Sequence, residues 1–81
     1  MRTVAELLEQ MEASKNNIEA MRSTSSHSGG MMHEMVIQAN FGELNDCMRE
    51  INALSDANDP EVEKNLPKIM YYLTWIREQT D

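Results

Sequence analysis

Val4, Leu7, Met11, Ser14, Ile18 and Met21 recur at spacings of three and four, with Leu8 widening the row. That period places them on one stripe of an α-helix, and only Ser14 interrupts its apolar character. Thr3-Val4-Ala5-Glu6 has the spacing of a capping box, in which hydroxyl and carboxylate each satisfy an orphan backbone N–H, so a first helix is predicted over about 3–22. Glu6, Glu9, Glu12, Lys15, Glu19 and Arg22 fall between the apolar positions. Glu12 with Lys15, and Glu19 with Arg22, have intrahelical pairing distance.

A second helix is predicted over about 31–54, because Phe41, Leu44, Met48 and Ile51 share a stripe with Cys47 and Leu54 beside it. Its first half is less regular: Met31, Met32, Met35, Val36 and Ile37 have no single clean face, and Asn40-Phe41-Gly42 holds two poor helix formers. A kink near Gly42, or a separate short helix from Met31 to Ala39, is expected. In a continuous helix Ala39 and Gly42 would make a small patch that another helix can approach closely. Opposite the stripe, Glu43, Asp46 and Glu50 line up as an acidic face.

Asp59-Pro60 opens a third helix over about 60–79, since Asp caps well and proline at the first helical position loses no hydrogen bond. Val62, Leu66, Ile69, Leu73 and Ile76 form its expected core stripe, which places Tyr71 and Trp75 on the far side and Met70 and Tyr72 on the flanks. Three of the chain's four aromatic residues stand within five positions here. Pro67 lies well inside, so a kink, or a new helix starting near Asn65, is expected. The helices are separated by a flexible Ser/Gly connector at 23–30 and a turn at 55–59. The pattern implies an all-α fold in one domain spanning 1–81: a small antiparallel bundle of three main helices. A fourth appears if the middle helix breaks near Gly42 or the last near Pro67.

At 81 residues, a single core supplies only about 3–5 kcal/mol of net stability, and homo-oligomerisation or a bound partner is the expected reinforcement. The formal charge of −7 is concentrated in the middle, where Glu34, Glu43, Asp46, Glu50, Asp56 and Asp59 face Arg49 alone. Such a segment repels phosphates, which argues against direct nucleic acid binding. The lone Cys47 suits a reducing compartment, and neither a signal peptide nor an apolar run of membrane-spanning length is visible, so a cytoplasmic protein away from the membrane is expected.

The candidate chemistry is thin. Met31-Met32-His33-Glu34-Met35 offers soft ligands suited to Cu(I), but no second histidine or cysteine stands at ligand spacing, and methionines are flexible core fillers; no metal and no cofactor are expected. Cys47 borders an apolar stripe with no base placed beside it, so an enzyme is not expected. Two readings of Tyr71 and Trp75 compete: a second layer of the same bundle, or a protein interface, where Trp and Tyr dominate the energetics. The interface reading implies a non-catalytic protein-binding module, an adaptor, small chaperone or inhibitor, that self-associates through its C-terminal helix. Met70, Tyr71, Tyr72 and Trp75 would carry the apolar contact while Glu43, Asp46 and Glu50 steer a basic partner surface. Under it, Trp75→Ala should weaken assembly and leave helicity largely intact. One alternative is a binder of a small anionic ligand or nucleotide, held by Ser25, Ser26, Ser28, Gly29 and Gly30 where the middle helix begins. Another is an acidic accessory protein to a nucleic-acid enzyme.

Overall fold

The computed structural model describes residues 2–24 and 31–80, and these form helices without any strand. The helices are α1 (Val4–Thr24), α2 (Met31–Asp56), α3 (Pro60–Lys64) and α4 (Leu66–Thr80), in a body measuring 46 × 22 × 19 Å. α1 begins as its sequence implies. The Thr3 N–H donates to Glu6 Oε1 at 2.8 Å and the Glu6 N–H to Thr3 Oγ1 at 3.2 Å, and the Thr3 N–H, then its hydroxyl, hold the Glu6 carboxyl below its ordinary pKa. α1 continues to Thr24, slightly past the expected end, and the Ser23 hydroxyl turns back to donate to the Ala20 carbonyl.

α1 and α2 are antiparallel, since Arg2 meets Glu43 and Glu50 while Arg22 lies over Phe41. Leu7, Met11 and Ile18 are fully enclosed against Leu44, Cys47 and Ile51. Ser14 is buried among them, and its hydroxyl accepts from Gln10 Nε2 at 3.1 Å. The polar interruption of the stripe is thereby satisfied.

The break expected near Gly42 does not form; α2 is one helix from Met31 to Asp56. A Cβ placed on Gly42 would meet nothing within 4 Å, so the residue faces outward. Its presence costs about 1 kcal/mol in helix propensity, which packing of the adjacent Phe41 and Leu44 outweighs. Asn40 is accommodated as well: its Nδ2 donates to the Val36 carbonyl at 2.8 Å while its Oδ1 accepts from Asn17 at 3.2 Å. Ala39 and Gly42 are both exposed, so the small patch they make is not covered by another described helix.

α2 ends in a Schellman-type closure. The Asp59 N–H donates to the Leu54 carbonyl and the Asn58 N–H to the Ser55 carbonyl, with Asn58 in the left-handed region at φ 63°. Asp59 then caps α3, its Oδ1 accepting from the Glu61 N–H at 2.9 Å, and Pro60 takes the first helical position. The last helix is in fact two. α3 stops at Lys64, Asn65 returns its side-chain amide to the Glu61 carbonyl at 2.8 Å, and Pro67 becomes the second residue of α4, where its missing N–H has no intrahelical acceptor to lose.

α4 runs parallel to α1, with Lys15 against Tyr71 and Trp75 and Arg22 hydrogen-bonded to Gln79. The core stripe expected for it is corrected by the structure. Ile69, Tyr72 and Trp75 are the buried residues, Leu73 and Ile76 are partly buried, and Leu66 is exposed. The interruption at Asn65 uncouples Val62 from the phase of α4, and turning the helix towards its rings buries more apolar area than Leu66 would.

Candidate functional site

Where α4 meets the hairpin, the contact is made of rings and long cations. Trp75 stacks on Phe41 with centroids 6.2 Å apart and planes 21° from parallel, and Tyr71 meets Tyr72 edge-on at 5.2 Å. The Lys15 ammonium sits 5.5 Å from the Trp75 ring centre and 5.7 Å from that of Tyr71. Its side chain is only 13% exposed and its charge is held by Glu19 at 3.0 Å, which raises the lysine pKa. Lys15 therefore pairs forward with Glu19, and not back with Glu12 as its spacing had implied.

The four residues expected to form the apolar patch are divided by this arrangement. Trp75 is 9% exposed and Tyr72 equally buried, both in the core, whereas Tyr71 at 55% and Met70 at 49% face outward. Trp75 does not stand on the far side of its helix. Replacing it removes a ring stacked on Phe41, so loss of stability, and not merely of assembly, is the expected result. Leu66, assigned to the core from its spacing, joins Met70 and Tyr71 on the outer face. Pro67 and Thr74 are exposed beside them.

The acidic row of α2 is also rearranged. Glu43 and Glu50 flank the α1 interface, where the Arg2 guanidinium reaches Glu43 at 3.0 Å and grips both oxygens of Glu50. Arg2 holds the Glu50 carboxyl below the ordinary range. Asp46 is exposed and meets Arg49 at 3.4 Å. Three acids offered to a partner become two that bind the start of their own chain and one with a local counter-charge. Glu9 and Glu12, read in the sequence as flank charges, are exposed and make no ion pair or hydrogen bond among the described residues. Their spacing beside an apolar stripe was the only signal pointing to them.

The remaining candidate chemistry gains no geometry. Cys47 is fully enclosed, and burial pushes its thiol pKa up, the behaviour of a packing residue. Ser25, Ser26, Ser28, Gly29 and Gly30 lie outside the described residues, as do the side chains of Met31 and Met32. Among the described residues no three His, Cys, Asp or Glu side chains converge as a metal site, and no helix is long and apolar enough to cross a membrane. Comparison with protein-family models, curated proteins and solved structures finds no match to the chain.

Proposed function

We propose that this chain is a non-catalytic protein-binding module that associates with copies of itself through the outer face of α4. The observation that carries the reading is the exposed row Leu66, Met70 and Tyr71, on a helix whose opposite side is already spent on the core. Large apolar side chains grouped on one surface mark an interaction face more often than chance exposure. A bundle this small also gains by burying them between subunits, because association stabilises the folded form by mass action. The action of such a module is occupancy: it holds a surface, and no bond is made or broken.

Sedimentation equilibrium tests the proposal. The wild-type chain should show reversible association, and Met70→Glu should shift it to the monomer with an unchanged helical circular dichroism spectrum, since Met70 is half exposed. A wild-type chain that stays monomeric up to millimolar concentration overturns self-association.

A further inference from the structure

α1 and α4 run side by side in the same direction and leave between them an open groove of about 610 Å³, lined by no residue of α2. Leu8 and Tyr72 form its floor and Tyr71 its edge. Glu9 and Glu12 stand on the α1 wall, one turn apart, and Lys68 stands on the α4 wall. The nearest cation along α1 does not neutralise those acids, because Lys15 is committed to Glu19 and to the two rings. Burial, and after it the Glu12 charge, raises the Tyr72 pKa, so the field of the acid reaches the floor.

We propose that this groove receives a short amphipathic helix of a partner protein, apolar towards Leu8 and Tyr72 and carrying Arg or Lys against Glu9 and Glu12. The charge pattern selects the occupant. Glu9 and Glu12 outnumber Lys68 across the groove, and with a chain net charge of −7 the α1 wall repels an acidic segment and attracts a basic one. The shape selects its conformation. Both walls are helix flanks with no strand edge, so an extended peptide finds no backbone to pair with, whereas a helix satisfies its own N–H and C=O groups. From Ala5 to Glu12 the wall is about 10 Å long, room for roughly two helical turns. The inference rests on the protein-binding reading and shares only Tyr71, at the edge of the groove, with the row proposed for self-association.

Two capped helix-forming peptides serve as probes, identical in their leucine row, one flanked by arginines and its twin by glutamates. Titrated into the isotope-labelled full chain, the arginine peptide should move the amide signals of Leu8, Glu9, Glu12, Lys68 and Tyr71 and leave Leu66 and Met70 in place. Glu9→Gln combined with Glu12→Gln should weaken it roughly fivefold, as expected for two exposed ion pairs, and the difference should shrink in high salt. Equal binding of the twin, signal shifts confined to Leu66 and Met70, or no binding of either peptide overturns the proposal. Met70→Glu separates the two faces: retained peptide binding with lost self-association supports the groove as a distinct site. Intact self-association with no peptide binding overturns the groove alone, and a monomeric wild type that binds the peptide supports the groove while overturning self-association.

Discussion

α1 has two neighbours and holds them by different means. Towards α2 it buries aliphatic side chains turn after turn, Leu7, Met11 and Ile18 against Leu44, Cys47 and Ile51, and it closes the flank with the Asn17 to Asn40 amide pair and the Arg2 clasp on Glu43 and Glu50. Towards α4 it lays one long cation across ring faces, Lys15 over Tyr71 and Trp75, and hydrogen-bonds Gln79 through Arg22. Close-packed aliphatic contacts lose their dispersion energy once a gap opens, so the hairpin behaves as a unit. A seam of rings and cations is shallower, and Tyr71 remains half in water. The contrast teaches that stability is concentrated in the hairpin and available surface in α4.

The largest expected effect lies in the hairpin. Leu44→Ala should cost about 3–4 kcal/mol, most of what a core this small supplies, so helical circular dichroism should be largely lost from all helices together even without denaturant. Trp75→Ala should cost less, about 2–3 kcal/mol, because an edge of the indole is already exposed. Its distinguishing sign is hydrogen exchange: protection should fall across α4 before it falls at Leu7, Met11 or Leu44. Uniform loss of protection would break the comparison, since α4 would then be as integral as α2. Gly42→Ala should stabilise by about 0.5–1 kcal/mol, because the added methyl meets no neighbour and the helix loses a flexible residue. Destabilisation instead would mean that this side of α2 is covered.

The smallest effect is pH dependent. Glu50, held by Arg2, and Glu6, held by the Thr3 N–H and hydroxyl, both have folded pKa values lowered from the usual carboxylate value. A lowered folded value means stability that is fully present above the unfolded pKa of about 4.3 and lost as pH falls through the folded one. The urea midpoint should therefore decline on acidification below about pH 5. Arg2→Gln should flatten that decline by removing the Glu50 share, and leave most of the Glu6 share, which the Thr3 hydrogen bonds supply. An acid limb unchanged by the substitution would show the clasp to be energetically idle.

Much of the hairpin was legible because its signals are local. A capping box, a stripe interrupted only at Ser14 and the Asp59-Pro60 start each lie within a few residues of what they specify, and Pro67 marked the new helix near Asn65 for the same reason. The rest depended on relations between distant segments. Spacing places Leu66 and Trp75 on a wheel, but which arc faces inward depends on Phe41 being there to receive an indole. Glu43 and Glu50 looked like a partner face because nothing near them in the chain announces Arg2. A propensity scale marks Gly42 as a weak point, and only the packing of Phe41 and Leu44 shows the weakness to be affordable. The cluster around Tyr71 was visible in the sequence; its division into a buried half and an exposed half was not.

Asp59 belongs to two helices, its N–H closing α2 on the Leu54 carbonyl and its carboxylate opening α3. The joint consequently has no slack. Deleting one residue between Ala57 and Asp59 would leave either the outgoing carbonyls or the incoming amides without their mate. Inserting one would part the two roles, leaving one residue to close α2 and another to open α3. A single aspartate thus sets where one rod stops and the next one starts.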